Sequence, residues 1–78
     1  MKKNEFLLEL EDILQREECC DGNDILEDYD EWDSLSKMAV MGYYKKNFNI
    51  QLNLNDFKKV RTVTDLMRLA GGNINDWI

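Results

Sequence analysis

Ser34 is the residue whose setting most suggests chemistry, because its hydroxyl follows an acidic run and opens a predicted helix in the stretch DEWDSLSKM, residues 30 to 38. A nucleophilic serine needs a neighbouring base, commonly histidine, and an oxyanion hole. The chain contains no histidine and no G-x-S-x-G elbow, and Lys37 is the nearest candidate base. Because 78 residues are also too few to surround a substrate, we expect no catalysis by this protein alone.

Ser34 has two further interpretations. Its hydroxyl could cap the free backbone amides at the start of the helix, a role that Asp33 could also fill. Alternatively, another enzyme modifies Ser34, because the exposed position, the free amides and the positive end of the helix dipole favour a phosphate ester there. Residue spacing alone leaves both interpretations open.

Two other groups of residues raise the question of metal binding, and the pattern of each argues against it. Cys19 and Cys20 are adjacent, so they offer neither a disulfide framework nor the spaced ligands of a zinc site, and we interpret them as free thiols. Five aspartates crowd residues 21 to 33, but no register supplies the ligand set of an EF-hand: Asp21, Asp24, Asp28, Asp30 and Asp33. We therefore expect a solvated acidic loop and no metal.

The net charge of −6 is distributed unevenly along the chain. Residues 1–33 hold three basic and thirteen acidic side chains, whereas residues 34–78 hold seven basic and three acidic ones. An acidic chain is repelled by phosphate backbones and anionic lipid, so we expect neither nucleic acid nor a membrane as partner. No apolar run is long enough for a membrane span and no signal peptide is recognisable, so we expect a cytoplasmic monomer.

The elements that must position Ser34 are predicted from the apolar periodicity. A first helix over about residues 4–18, capped by Asn4, has one apolar face: Phe6, Leu7, Leu10, Ile13 and Leu14. Residues 19–33 are predicted to form a long ordered loop held by apolar anchors: Ile25, Leu26, Tyr29 and Trp32.

The second helix is predicted over about residues 34–48. Its core face should hold Met38, Val40, Met41, Tyr44 and Phe48, whereas Leu35, Ala39 and Gly42 fall on the opposite side. The strip from Leu35 to Ala39 is then apolar without serving the core, which is typical of a contact surface. Lys37 should be partly buried along its stem.

The remaining chain predicts two shorter helices. Residues 50–54 alternate as a strand would, but no second strand candidate exists, so a loop is expected. A short helix should follow at about 55–59 and a last helix at about 63–70, opened by a Thr62–Asp65 capping box and ended by Gly71. The tail 71–78 is expected to be loose unless Trp77 and Ile78 fold back. The expected class is a single all-α domain.

Asp33-Ser34-Leu35 resembles the Asp-Ser-Leu motif of the acyl carrier protein family, in the WDSL form of specialised carriers. The setting is also similar: an amphipathic first helix, a long acidic loop, the motif opening the second helix, Phe48 and Ile50 closing it, and RTVTDL opening the last one. The resemblance implies a four-helix bundle with three main helices, one short helix and a long loop between the first two.

The resemblance implies a 4′-phosphopantetheine group on Ser34, transferred from coenzyme A by a phosphopantetheinyl transferase. Acyl or aminoacyl groups would then be carried as thioesters and presented to loading and transferring enzymes, and the carrier itself would not be an enzyme. The cargo stays open. The competing hypothesis is a helical adaptor of the same fold that binds partners without a prosthetic group, in which Ser34 is only a cap.

The resemblance also implies docking residues beside the attachment point. Asp33 and Leu35 flank the group, and partner enzymes would touch Trp32, Leu35, Met38 and Ala39. The second helix departs from the acidic family pattern, since it carries Lys37, Lys45 and Lys46 and no acid. We therefore expect a specialised biosynthetic or lipid-related pathway whose partners are steered by the loop acids Asp30 and Glu31.

Overall fold

The computed structural model describes residues 1–74 of the chain. This part contains four α-helices and two short 3-10 turns. The helices are α1 (Lys3–Leu14), α2 (Ser34–Phe48), α3 (Leu54–Phe57) and α4 (Val63–Arg68), and the 3-10 turns are Leu26–Asp28 and Gly71–Asn73. No strand occurs within residues 1–74, where an isolated bridge between Ile25 and Thr62 is found. The all-α class is thereby confirmed. No helix in this part of the chain is long and apolar enough to cross a membrane.

The first helix is shorter than predicted, because it ends at Leu14 and not near residue 18. Gln15 takes a left-handed conformation with φ 56°, and the Arg16 amide donates to the Glu11 carbonyl at 2.9 Å, which closes the helix end. Glu17 and Glu18 follow. Acidic side chains are unfavourable at the negative end of a helix dipole. The predicted Asn4 cap is also wrong: Lys2 precedes the first turn, and its N–H donates to the Glu5 carboxylate at 3.2 Å.

The core lies where α1 and α2 meet the last helix. Phe6 and Leu10 of α1 are fully buried, as are Val40 and Tyr44 of α2. The Tyr44 hydroxyl crosses the core and donates to the Leu66 carbonyl of α4 at 2.5 Å. This buried bond fixes the second helix against the last one, and burial raises the pKa of Tyr44 above its ordinary value.

The exposed side of α2 differs from the prediction at one position. Met38, expected in the core, is 59% exposed, while Ser36 is buried. At about 100° per residue, Met38 lies roughly 160° around the helix from Val40, whereas Ser36 lies about 40° away. The buried face is therefore narrower than predicted and runs through Ser36, Val40 and Tyr44.

The loop before α2 is held against the start of α4 by backbone hydrogen bonds. The Leu26 amide donates to the Arg61 carbonyl, and the Val63 amide donates to the Asp24 carbonyl, both at 3.0 Å. The Thr64 amide and hydroxyl both donate to the Gly22 carbonyl, at 2.9 and 2.8 Å. A side chain at Gly22 would begin only 2.8 Å from the Thr64 hydroxyl, so this contact needs glycine. The predicted anchors Leu26, Tyr29 and Trp32 are buried, and Ile25 is half-buried.

The C-terminal elements follow the predicted order with shifted ends. The short helix covers Leu54–Phe57 instead of 55–59, and residues 50–53 form no strand. The Thr62 hydroxyl accepts from the Asp65 amide at 3.1 Å, which confirms the capping box of α4. The last helix ends at Arg68 and not near residue 70, and Gly71, which has φ 62°, lies in the following 3-10 turn and is not the residue that ends the helix. Ile74 is buried, so the tail is not loose up to that residue; the predictions for Trp77 and Ile78 lie outside the described residues.

Candidate functional site

Ser34 is the first residue of α2, and its neighbours cap the helix without it. The Asp33 carboxylate accepts from the Ser36 amide at 2.9 Å, and the Ser36 hydroxyl accepts from the Asp33 amide at 2.9 Å. The same hydroxyl also donates to the Asp33 carbonyl at 3.0 Å. Asp33 and Ser36 thus form a reciprocal capping box, so Asp33, one of the two predicted candidates, is the cap.

The Ser34 side chain is exposed, and no hydrogen bond to its hydroxyl is found among residues 1–74. The helix therefore begins without any contribution from this hydroxyl. Ser34 and Leu35 supply the first two amides of the helix, which lie ahead of the intrahelical ladder. The hydroxyl is consequently free to react, beside a helix end that favours negative charge.

Trp32 anchors the segment that leads into Ser34, because its side chain packs into the core. This side chain is only 9% exposed, and its ring packs edge-on against Phe57 with 5.7 Å between ring centroids. Its amide donates to the Tyr29 carbonyl at 3.1 Å. The Lys37 ammonium lies over the indole ring, 5.7 Å from its centroid. The burial of the ring confirms Trp32 as an anchor of the loop, and its expected contact with partner enzymes stays a prediction.

The two loop acids expected to steer partners have different environments. Asp30 is exposed, but Glu31 accepts from the Arg16 guanidinium at 3.0 Å and is half-buried. Arg16 lies in turn over the Tyr29 ring at 3.8 Å from its centroid, and the Tyr29 hydroxyl donates to Asp24 at 2.7 Å. The Glu31 carboxylate thus helps to hold the loop, whereas Asp30 is exposed, and the steering of partners by these two acids stays a prediction.

The apolar strip on the outer side of α2 is exposed, as the helical spacing predicts for Leu35 and Ala39 but not for Met38. Leu35 is 77% exposed and Met38 is 59% exposed, and Ala39 is also at the surface. Leu35 and Ala39 border a shallow pocket of about 400 Å³ against the end of α1. Their contact with a partner stays a prediction.

A groove beside Ser34 was not predicted from the sequence. It lies between the first turn of α2 and the segment from α3 to the start of α4, has a volume of about 590 Å³, and is lined by Glu27, Ser34, Lys37, Leu54, Phe57, Lys58, Val60 and Arg61. Its lining mixes cations and apolar side chains. The one signal in the sequence is the basic run around Lys58 and Arg61, which becomes informative only once the fold brings it next to Ser34.

The groove that Ser34 lines also holds Lys37, the nearest candidate base in the sequence. The Asp33 carboxylate, the nearest acid in sequence, is committed to the Ser36 amide. Among the described residues, no group of three or more cysteines and acids is placed to hold a metal ion. The Ser34 hydroxyl is exposed beside a groove lined by Lys37, Lys58 and Arg61, and such cations favour a negatively charged group.

Comparisons with protein-family models, with curated proteins and with solved structures find no match to this chain. The resemblance to acyl carrier proteins therefore rests on the residues of the chain itself.

Proposed function

We propose that this protein is a carrier of the acyl carrier type, whose four helices form the carrier bundle and whose Ser34 bears a 4′-phosphopantetheine group. One observation supports this proposal above the others: the Ser34 hydroxyl is exposed and unbonded among residues 1–74, while Asp33 and Ser36 cap the helix. A serine retained only as a cap would make the capping bonds itself. The competing adaptor hypothesis explains Ser34 only as a helix cap, a role that Asp33 and Ser36 already fill.

Attachment uses Ser34 as the nucleophile in the active site of a phosphopantetheinyl transferase. Ser34 Oγ forms a bond to the β-phosphorus of coenzyme A, the phosphoanhydride bond breaks, and adenosine 3′,5′-bisphosphate leaves. The proton of Ser34 passes to a base of the transferase, which also binds the magnesium ion. The positive end of α2 favours the phosphodiester that results.

The attached group supplies a terminal thiol on which acyl or aminoacyl cargo is carried as a thioester. This chain holds the attachment point in a fixed place, through Trp32 below it and the loop bonds to α4. Within α2 the charged residues are Lys37, Lys45 and Lys46, with no acid. This pattern supports a specialised biosynthetic or lipid-related pathway whose enzymes do not require an acidic second helix.

The test is an intact-mass measurement after incubation with coenzyme A, magnesium and a broad-specificity phosphopantetheinyl transferase. The wild type should gain one phosphopantetheine mass, Ser34→Ala should gain none, and Ser36→Ala should still gain one. Ser36→Ala is the matched control because it removes a hydroxyl two residues away and keeps Ser34. An unchanged wild-type mass would overturn the carrier proposal and favour the adaptor.

A further inference from the structure

The groove beside Ser34 carries more positive charge than its own residues neutralise. Lys37, Lys58 and Arg61 line it, and Glu27 is the one acid in the lining. The ion pairs found within residues 1–74 join Arg16 to two glutamates and Arg68 to Asp65, so none of the three groove cations takes part. Three cations with one acid leave the lining net positive, and because like charges repel one another, the groove is suited to an anionic occupant.

The groove is continuous with Ser34, which is part of its lining. Lys37 lies three residues after Ser34, and such residues are neighbours on the surface of a helix. A phosphodiester on Ser34 Oγ would therefore start at the mouth of the groove, between the helix end and the lysine. Charge-assisted hydrogen bonds from lysine and arginine are the strongest that a phosphate oxygen can accept.

The apolar part of the lining suits the chain that follows the phosphate. Leu54 is 58% exposed, Val60 is half-buried, and Phe57 closes the floor. Pantetheine begins with a carbon that bears two methyl groups and continues with two amides. Its methyl groups would cover the exposed Leu54 side chain, and its amides would stay at the open side of the groove.

We propose that this groove binds the attached group along its length, with Lys37, Lys58 and Arg61 holding the phosphodiester and Leu54 and Val60 contacting the pantetheine methyl groups. The inference rests on the proposed function, since it needs the group on Ser34. It adds that the arm of this carrier lies on the protein surface between encounters with enzymes. A partner must then displace the arm from the groove before it can reach the thiol.

The experiment compares three forms of the modified protein by NMR: the wild type, the double variant Lys58→Gln with Arg61→Gln, and the control Lys45→Gln with Lys46→Gln. Both variants remove two positive charges from exposed side chains, but Lys45 and Lys46 lie in the last turn of α2 and outside the groove lining. Arg61 supports the loop through its backbone carbonyl, so its side chain can be changed without removing that bond.

In the wild type we expect nuclear Overhauser contacts between the pantetheine methyl groups and the methyl groups of Leu54 and Val60. Attachment should also shift these two methyl resonances. The contacts should be lost in the groove variant and kept in the control, and added salt should weaken them. Thermal unfolding of both variants verifies that each is folded.

Two results would overturn the inference: a modified wild type without contacts to Leu54 and Val60, or a groove variant that keeps them at wild-type intensity. The first requires only the unaltered sequence, so it decides the matter even if a variant does not fold. Failure of the proposed function is a separate outcome, because in that case no modified protein forms and the mass stays unchanged.

Discussion

Replacing Ser36 by alanine should destabilise the fold, whereas replacing Ser34 by alanine should leave its stability almost unchanged. Ser36 is buried, and its hydroxyl accepts from the Asp33 amide and donates to the Asp33 carbonyl. Ser34 is exposed, and its hydroxyl is bonded to nothing among residues 1–74. The two substitutions to alanine are chemically identical and only two residues apart, so each is the control for the other.

The magnitude for Ser36→Ala follows from the bonds that are removed. Losing half of a capping box costs about 1 kcal/mol, and leaving a part-buried amide without its acceptor adds a similar amount, so we expect a loss of about 1–2 kcal/mol in the free energy of unfolding. For a domain of this size each kcal/mol lowers Tm by about 4–8 °C. Ser34→Ala should change the free energy of unfolding by less than about 0.5 kcal/mol, as an exposed substitution outside any bonded feature does.

Urea unfolding followed by circular dichroism measures both values on unmodified protein. The reasoning is refuted if Ser34→Ala destabilises the protein as much as Ser36→Ala does. That result would mean that Ser34 caps the helix, which is the structural role that the adaptor hypothesis assigns to it.

Three further predictions concern the buried core, the stability of the fold at low pH and the reactivity of the two cysteine thiols. Tyr44→Phe removes the buried bond to the Leu66 carbonyl and should lower the free energy of unfolding by about 1 kcal/mol in urea titrations; an unchanged midpoint would contradict the bond. Hydrogen bonds from two backbone amides lower the pKa of Asp65, so its NMR titration should have a midpoint below that of an ordinary aspartate. The stability that Asp65 supplies is therefore full above about pH 4 and lost as the pH falls through the lower folded value, a dependence that should vanish in Asp65→Asn. Burial raises the pKa of the Cys20 thiol, whereas Cys19 is exposed, so iodoacetamide should label Cys19 first by peptide mass mapping; equal rates would contradict this difference.

The sequence predicts the elements best where a local signal acts alone. Asp33 before an apolar run and the Thr62–Asp65 spacing are local capping signals, and both helices begin where these signals stand. The range of α2 coincides with residues 34–48 for the same reason. The isolated alternation of residues 50–54 was correctly interpreted as a loop, because a strand needs a neighbour to pair with.

The errors arise where distant residues decide the outcome. Arg16 lies within the predicted first helix, yet its contacts with Tyr29 and Glu31 accompany a helix end at Leu14. Trp32 was correctly predicted to anchor the loop, but nothing in its own stretch shows that Phe57 is the side chain that packs on it. In each case the partner is many residues away along the chain, where periodicity carries no information about it.

The candidate site also has one part that the sequence predicts and one part that it does not. Ser34 and its flanking residues could be identified from the sequence, since the motif and the helix start lie in one short stretch. The groove could not, because it joins Ser34 and Lys37 of α2 to residues between Leu54 and Arg61, far along the chain. The ion pair between Glu31 and Arg16 could likewise not be predicted, because the two residues are 15 positions apart in the sequence.

The most direct test of the central claim is tandem mass spectrometry of the transferase-treated wild-type protein, which locates the added group on a single residue. We predict a phosphopantetheine mass on Ser34 and none on Ser36. A peptide that carries the group on Ser36, or a DEWDSLSKM segment without it, would contradict the assignment of Ser34 as the attachment point.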